Sequence, residues 1–424
     1  MLSRLHPIIT VAWLTPVLAT AAALGACAVD AEPLEVGQSV APLVIENMWR
    51  RSDFPLSVCF QSGSTSTTAE RQAVRTAVEG SWGAASRVVR FTGWGACGSA
   101  GADIEILHSS TITRGCSEIG TDHRNTTGLC NGRMQLPTPA SASASYLTYT
   151  YIHEFGHAIG FRHEQSHPDK EQDDPTCTDD ENLGSGTVAG SYDPDSIMNY
   201  CTNVPTVLSR NDRRSVQLMY PDSPILGVGE TSYSLWTKGA LTESWAGVAN
   251  SGGIRDVTVM PDGRLLGVGE TSYSLWTKTC PTCAWQGVAN SGGIRSVAVM
   301  NDGTIVGVGS TSYSLWTKSC LTCDWKGVAN SGGVRDVAVM PDGTLLGVGE
   351  TSYSLWTRAT LNSPWVGVAN SGGIQSVDVM DNGLILGVGN TSYSLWVKTS
   401  LTGDWYSVPN SGGVRSVAVG NYDR

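Results

Sequence analysis

The sequence predicts an α+β domain followed by an all-β, five-bladed β-propeller, in a chain of 424 residues. Helix and strand patterns alternate from about residue 46 to 222, whereas residues 223–424 carry a 40-residue unit five times. The 49 glycines and 14 tryptophans are typical of turn-rich β structure. The net charge of −11 argues against nucleic acid as a partner, since phosphate binding requires a basic surface.

The first 27 residues have the pattern of an export signal. A basic start at Arg4 precedes an uncharged apolar run, and Leu24-Gly25-Ala26-Cys27 resembles a bacterial lipobox, in which the cysteine is lipidated. A secretory peptide cleaved near the small residues and a retained membrane anchor are the alternatives. Each places the rest of the chain outside the cytoplasm, either secreted or attached to a membrane, for example through a lipid on Cys27. Residues 28–45 are expected to be a tether or a short pro-segment.

Residues 46–222 carry the patterns of the α+β domain. Thr67 and Glu70 have the spacing of a capping box, and an apolar stripe at helical spacing follows them. Ser209 can cap a last helix over about 210–220, which Pro221 ends. Another helix is predicted over about 147–160, and strands are predicted over 54–60, 88–91, 102–107 and 133–136.

One segment of this domain, His-Glu-Phe-Gly-His-Ala-Ile-Gly-Phe-Arg-His, has the spacing of metal ligands. His153 and His157 are four residues apart, so a helix presents both imidazoles from one face. Gly160 can take the positive φ that ends the helix and turns the chain back. That turn brings in His163 as the third ligand. Three nitrogen ligands and one open position suit a catalytic zinc ion, one per chain.

Glu154 lies beside the two helical histidines and is not needed as a ligand. It is expected to take a proton from the zinc-activated water that attacks a peptide bond, and to hand it to the leaving amine. The alternative is a surface helix with histidines at chance positions. The extended pattern argues against chance, because it fixes a glycine and a third histidine beyond H-E-x-x-H.

Two downstream features, taken with this motif, resemble the astacin family of metzincin zinc metalloproteases. They are Glu164, directly after the third histidine, and Ser196-Ile197-Met198-Asn199-Tyr200. The resemblance covers about residues 46–222 and implies a metzincin catalytic domain that acts on proteins or peptides. It also implies that Met198 forms a tight turn beneath the zinc histidines. Tyr200 would reach the metal or steady the oxyanion, since a phenol can donate a hydrogen bond there.

The sequence departs from the astacin pattern in two places. Position 199 is Asn where many members have His, and no cysteine stands just before His153, so the disulfides must differ. Cys116–Cys130 and Cys177–Cys201 are candidate local pairs, although spacing does not fix the connectivity. In the family, removal of a pro-segment lets the new amino terminus contact the glutamate that matches Glu164. A lipidated Cys27 retained as the terminus would not allow that contact.

Two other clusters have both a functional and a structural interpretation. Seven acidic residues lie between Pro168 and Glu181. A solvated loop is favoured there, because runs of charge face water, and a calcium site is the alternative. The pairs Cys280/Cys283 and Cys320/Cys323 fall in hairpin loops of the repeat, where local disulfides are favoured over a shared zinc ion.

The repeat itself predicts the propeller. Each unit contains four strand-like pieces, separated by Asn-Ser-Gly-Gly and by Pro-Asp-Gly or Asn-Asp-Gly turns. Four strands in about 40 residues suit one propeller blade. The phrase Thr-Ser-Tyr-Ser-Leu-Trp begins at 231, 271, 311, 351 and 391, and five complete units make a five-bladed ring the simplest closure.

The paired tryptophans and Gly-Val-Gly phrases of the repeat resemble those of tectonin- and tachylectin-type propeller lectins. The resemblance implies glycan binding, and five weak sites would act together. Packing between blades is the alternative, and is favoured because propeller aromatics often lie in cores. The candidate ligand-binding set is Trp236, Trp276, Trp316, Trp356 and Trp396, and the same two roles are open to Trp245, Trp285, Trp325, Trp365 and Trp405.

The sequence therefore predicts an exported or surface-anchored zinc endopeptidase whose propeller binds glycans or another cell-surface target. The alternatives are a lectin-like binding protein and a surface scaffold, each with an inactive protease-like head. The presence of Glu154 and all three histidines argues against an inactive head. Binding to glycans rather than to proteins would separate the two alternatives.

Overall fold

The computed structural model describes residues 44–45, 47–125, 128, 130–167, 187–188, 192–200 and 204–422. The export signal, Cys27, nearly all of the expected tether, the acidic segment and the Cys177–Cys201 pair lie outside these residues. No helix among the described residues is long and apolar enough to cross a membrane. The described residues belong to one unit that spans Glu35–Arg424.

The first region, which we call the head, is built on a four-stranded sheet. A short antiparallel pair, β1 (Val44–Ile45) with β6 (Thr187–Val188), lies outside that sheet. The four strands run parallel in the order β3-β2-β4-β5. Their bounds are β2 Leu56–Phe60, β3 Phe91–Ala96, β4 Ile104–Ser109 and β5 Met134–Pro137.

The strand predicted over 88–91 was wrong, because β3 begins only at Phe91. The backbone N–H groups of Val88 and Val89 donate to the Ser86 hydroxyl at 3.1 and 3.2 Å, which holds this segment in a local turn. A serine hydroxyl that binds nearby backbone competes with the sheet for those donors. The other predicted strands are present, with bounds shifted by one to two residues.

Four helices pack around the sheet in the described part of the head, and side chains cap three of them. They are α1 (Thr68–Gly80), α2 (Trp82–Ala85), α3 (Ala144–Ala158) and α4 (Arg210–Met219), with 3-10 turns at Arg51–Asp53, Gly120–Arg124 and Glu164–Ser166. The predicted capping box of α1 is confirmed, and Ser209 caps α4 as predicted, in a capping box with Asp212. Helix α3 begins earlier than expected, because the Ser143 hydroxyl accepts from Tyr146 N.

Residues 225–418 form five four-stranded antiparallel sheets, which confirms the five-bladed propeller. Blade 1 contains β7 Ile225–Gly229, β8 Leu235–Lys238 and β9 Ala246–Gly247. Blade 2 is β10 Ile254–Val259, β11 Leu265–Gly269, β12 Leu275–Lys278 and β13 Gln286–Gly287. Blade 3 is β14 Ile294–Val299, β15 Ile305–Gly309, β16 Leu315–Lys318 and β17 Lys326–Gly327.

The remaining blades follow the same pattern and close the ring. Blade 4 is β18 Val334–Val339, β19 Leu345–Gly349, β20 Leu355–Arg358 and β21 Val366–Gly367. Blade 5 is β22 Ile374–Val379, β23 Ile385–Gly389, β24 Leu395–Lys398 and β25 Trp405–Ser407. The last strand, β26 (Val414–Ala418), completes blade 1 by pairing with β7. The blade is therefore offset from the sequence repeat by one strand, as the position of the repeat boundary predicts.

A cation from each blade ties it to the turn that enters it. Lys318 is less than 2 % exposed, and its Nζ donates to the Asn290 carbonyl at 3.0 Å, in the turn between blades 2 and 3. Arg358 makes the equivalent bond to the Asn330 carbonyl at 2.8 Å. These asparagines have φ near +50°, which points their carbonyls at the buried cation. The other members of the set are Lys238, Lys278 and Lys398.

The head and blade 1 share a continuous apolar core that includes Tyr220 and Ile225. Polar contacts surround this core. Arg51 donates from its backbone to Glu243 at 2.6 Å and from its guanidinium to the Pro221 and Asp222 carbonyls. Leu241 N donates to the Met219 carbonyl at 2.9 Å.

Four disulfides lie in the described part of the chain. Cys116–Cys130 is one of the candidate pairs, and both C-x-x-C pairs are closed as local disulfides. Cys59 bonds to Cys97, at the ends of β2 and β3. The Cys59, Cys97 and Glu105 side chains are close enough together to hold a metal, but the disulfide removes both thiolates that such a site would need.

We predict that Lys318→Met destabilises the propeller by about 1–3 kcal/mol, because it removes the buried charged donor that binds the Asn290 carbonyl. The matched control is Lys318→Arg, since Arg358 fills the same position in blade 4. Thermal unfolding measures both variants. A Met variant that unfolds at the same temperature as the Arg variant would show that these bonds contribute nothing to blade packing.

Candidate metal centre

Helix α3 carries His153 and His157 near its C-terminal end. Both side chains are buried, at 5 % and 6 % exposure. Gly160 has φ +107°, and the N–H groups of Gly160 and Phe161 bond back to the His157 and Gly156 carbonyls at 2.8 and 3.0 Å. This glycine therefore ends the helix as its sequence position predicts, and the chain turns back towards the helix.

The turn brings His163 to the two helical histidines. The candidate ligand atoms of the three residues all lie within 4.8 Å of one another, and Nε2 of His157 is 3.0 Å from Nε2 of His163. Nδ1 of His153 faces the Ile197 carbonyl at 2.8 Å, and Nδ1 of His157 faces the Phe161 carbonyl at 2.8 Å. These carbonyls place the proton on Nδ1, which leaves Nε2 as a lone-pair donor directed at the common centre.

The electrostatics of the cluster favour neutral imidazoles. Burial, followed by the neighbouring His163 and His153, holds the pKa of His157 well below its usual range. Neutral imidazole nitrogen is the form that binds metal. The residues therefore fit a zinc ion, which prefers nitrogen ligands in a tetrahedral arrangement.

Met198 lies beneath helix α3, in contact with Gly156. A Cβ atom at position 156 would stand 2.3 Å from the Met198 sulfur, so only glycine allows this approach. Met198 is 2 % exposed, and its carbonyl accepts from Glu164 N at 3.1 Å. The turn that was expected to lie beneath the histidines thus contacts both α3 and the segment after His163.

Asp212 fixes this turn from the opposite side. Its carboxylate accepts from the Ser196 hydroxyl at 2.7 Å, from Ile197 N at 2.9 Å and from Ser209 N at 2.8 Å. The side chain is 4 % exposed, and burial raises its pKa to about 6. No sequence signal points to this role, because an acid three residues after a helix cap is common without any distant partner.

The two glutamates of the motif are both buried, with different surroundings. Burial raises the pKa of Glu154 to about 8, and its carboxylate packs against Gly115, where a Cβ would lie 2.2 Å from Oε1. Burial also raises the pKa of Glu164, whose Oε1 accepts from Asp193 N at 2.7 Å. Glu164 therefore has a backbone partner within the chain itself. The ring of Tyr200 is 39 % exposed and lies 4.9 Å from that of His163.

Three aromatic side chains missed by sequence analysis hold the helix that carries the histidines. The indole N–H groups of Trp82 and Trp49 donate to the Ile152 and Ala158 carbonyls, both at 2.7 Å. The Tyr220 hydroxyl donates to the Ile159 carbonyl at 2.8 Å. The Ala158 and Ile159 carbonyls lie at the end of α3, where carbonyls lack intrahelical partners, so the bonds from Trp49 and Tyr220 satisfy groups that would otherwise be orphaned in the core. Trp82 binds the helix at an interior carbonyl. No local pattern marks these residues.

The repeated tryptophans of the propeller are half-buried. In the first series, Trp276 lies against Gly287 and its indole N–H donates to Ser272 Oγ at 3.4 Å. In the second series, Trp285 donates to the Ser251 carbonyl, in the turn that enters its blade, at 3.3 Å. Trp276 and Trp285 both pack against the apolar core between blades 1 and 2, so each series contributes to blade packing. The first keeps one part of each ring accessible, and its members are Trp236, Trp276, Trp316, Trp356 and Trp396.

No protein-family profile and no curated protein sequence matches this chain. Among solved structures, myroilysin aligns at 21 % identity over 43 % of this chain and 98 % of its own, with a TM-score of 0.33. A chain of a nidogen–laminin complex aligns at 10 % identity over 46 % and 82 %, with a TM-score of 0.36. TolB from Acinetobacter baumannii aligns at 15 % identity over 47 % and 57 %, with a TM-score of 0.35. None of these likenesses is close enough to carry an argument about this chain.

We predict that Gly156→Ala destabilises the head by about 1–3 kcal/mol and weakens its retention of zinc, because the new methyl group overlaps the Met198 sulfur. Gly80→Ala is the control, since a Cβ there meets nothing within 4 Å. Thermal unfolding and metal analysis of the two purified variants measure the effect. Equal stability and equal zinc content would mean that the close contact has no role in holding the histidines.

Proposed function

We propose that this chain is a zinc-dependent endopeptidase of the astacin-like metzincin kind, acting outside the cytoplasm. One observation carries the proposal: the Nε2 atoms of His153, His157 and His163 converge, while backbone carbonyls face Nδ1 of the first two. Second partners of this kind are the rule for metal-binding histidines, because they fix the tautomer and the ring orientation. Any buried imidazole needs an acceptor for its N–H group, but here the ligand atoms of all three histidines also lie within 4.8 Å of one another.

A bound zinc ion would supply a Lewis acid that polarises the scissile carbonyl and makes water a better nucleophile near neutral pH. The residues of the chain supply the rest. Glu154 accepts the proton of the attacking water and passes it to the leaving amine. Tyr200, whose exposed ring lies 4.9 Å from that of His163, donates to the oxygen on which negative charge develops.

We predict that Glu154→Gln retains zinc but lowers the cleavage of casein by about 10²–10⁴-fold, the usual contribution of a general base. Glutamine preserves the size of the side chain and removes its ability to accept the proton. Glu79→Gln, on the exposed face of α1, is the matched control and should cleave normally. A chelator should stop the native chain, and Tyr200→Phe should retain zinc while losing about 10²–10³-fold in rate.

Two results would contradict the proposal. The first is a native chain that binds no zinc. The second is a native chain that binds zinc and cleaves no member of a broad peptide library, which would favour a binding protein with an inactive head. Full activity in Glu154→Gln would assign the proton transfer to another residue.

We further propose that the propeller attaches the enzyme to glycans at a cell surface. The half-exposed rings of the Trp276 series support this proposal, because an aromatic face in each of five blades suits repeated weak binding. We expect the full chain to bind members of an immobilised glycan panel in preference to immobilised proteins. Binding to proteins with none to glycans would instead support a scaffold.

A further inference from the structure

A ring of arginines surrounds the propeller axis at one mouth of its central channel. The inner strands of the five blades, β10, β14, β18, β22 and β26, are neighbours around that axis. The second residue of each strand lines a small cavity there: Arg255, Arg295, Arg335, Gln375 and Arg415. Four of the five blades thus place a guanidinium at the same level, in a protein whose net charge is −11.

The mouth lies on the face directed away from the head. Each inner strand begins at the arginine side, and those of blades 2 and 4, for example, end at Met-Pro-Asp-Gly turns on the other side. The head reaches the opposite ends, since Gln217 and Pro221 line a cavity together with Met380 and Asn382. The arginine ring is therefore remote from the metal centre, and any role it has is separate from the proposed peptidase chemistry.

The backbone aims each arginine towards the channel. The pairing register shifts between Ile254 and Asp256, so Arg255 stands at a β-bulge, and blades 3, 4 and 1 repeat the shift. Bulges redirect a side chain away from the regular alternation. The guanidinium of Arg255 lies 4.5 Å from the ring centre of Tyr273, and that of Arg295 lies 4.6 Å from Tyr313. Stacking on one face leaves the N–H edges of a guanidinium free to bind an anion.

The positive charge of the ring is not neutralised by direct ion pairs among the described residues, where none of the four arginines pairs with a carboxylate. Burial, followed by the neighbouring Arg335 and Arg255, lowers the pKa of Arg295, although Tyr313 opposes this effect. The ring is completed by Gln375, whose buried Nε2 has no hydrogen-bond partner.

The acids beneath the ring are committed to other bonds. Asp256 accepts from Val297 N at 2.9 Å and from the Ser416 hydroxyl, and Asp336 accepts from Val377 N at 2.7 Å. These bonds join neighbouring inner strands. Burial, followed by the neighbouring Asp256, raises the pKa of Asp336, and burial raises the pKa of Asp256, which favours the uncharged form of both carboxyl groups. Four arginines therefore stand over two acids, which leaves an excess of positive charge.

We propose that this ring binds one phosphate group, either free or at the end of a larger molecule. The cavity at the mouth is small and is lined entirely by charged or polar side chains, which suits one small anionic group. A tetrahedral oxyanion presents acceptors to several sides at once, and guanidinium edges around an axis supply donors from several sides. A single carboxylate could not use more than two or three of them.

Blade 5 provides the matched variants. Because Gln375 already occupies the ring position there, Arg295→Gln should fold normally, and Gln375→Arg should complete the ring. Calorimetric titration of the full chain with inorganic phosphate should show roughly tenfold weaker binding for Arg295→Gln, the scale of one lost charge-assisted hydrogen bond. Gln375→Arg should bind about tenfold more tightly by the same argument. Thermal unfolding without phosphate checks that both variants are folded.

Phosphate bound at the metal centre would contribute equally to all three proteins, so the differences between them report the ring alone. Equal affinities in the three proteins, or no binding by the native chain at millimolar phosphate, would overturn the proposal. Two further probes distinguish the source of the group: a soluble sugar phosphate and vesicles that contain phosphatidic acid. Binding to either that weakens in Arg295→Gln supports the site and identifies whether a soluble or a lipid phosphate is held.

Discussion

The pairing of the last strand with the first blade is the contact on which the rest of the structure depends. Strand β26 completes blade 1 through its register with β7, so the ring closes only when residues nearly 190 positions apart in sequence meet, as Val414 does with Gly229. The same blade carries Leu241 and Glu243, which bind the head. The Tyr422 hydroxyl also donates to the Pro224 carbonyl at 2.7 Å, which joins the C-terminal end to the linker between the two regions. Blade 1 therefore both closes the ring and binds the head.

Helix α4 connects that closed blade to the metal centre. At its start, Asp212 holds the turn of Met198 through Ser196 and Ile197. At its end, the Met219 carbonyl accepts from Leu241 of blade 1, while the Tyr220 hydroxyl binds the carbonyl at the end of α3. A ten-residue helix thus contacts the propeller, the Met198 turn and the histidine helix. The orientation of the histidines depends on their buried neighbours. It therefore depends on how the propeller, the Met198 turn and α3 pack against α4.

Local signals allowed the sequence to predict much of this arrangement. The period of the repeat predicted five blades, capping residues predicted the starts of α1 and α4, and Gly160 predicted the turn after α3. Other features depend on contacts between distant segments and leave no local trace. In the sequence, nothing distinguishes Gly156 from other helix residues or Asp212 from other capping residues. Their roles come from contacts with Met198 and Ser196, which lie in a distant segment. The strand expected at 88–91 failed for the reverse reason, because a local serine bond outweighed β propensity.

The positions at which the repeats differ show which constraints are strict. In blade 4, Arg358 takes the place of the buried lysine and keeps the bond to the asparagine carbonyl. The position therefore keeps a charged donor but accepts either an ammonium or a guanidinium group. In blade 5, Asp378 replaces the small residue found in the other inner strands, yet its carboxylate accepts from Val379 N at 2.9 Å and Val419 N at 2.8 Å. A buried polar group is tolerated when the neighbouring strand satisfies it. Gln375, in the same strand, has a buried amide nitrogen with no such partner. Asp378 is satisfied by two backbone N–H groups, whereas Gln375 Nε2 has no acceptor. A group bound at the ring would provide that acceptor.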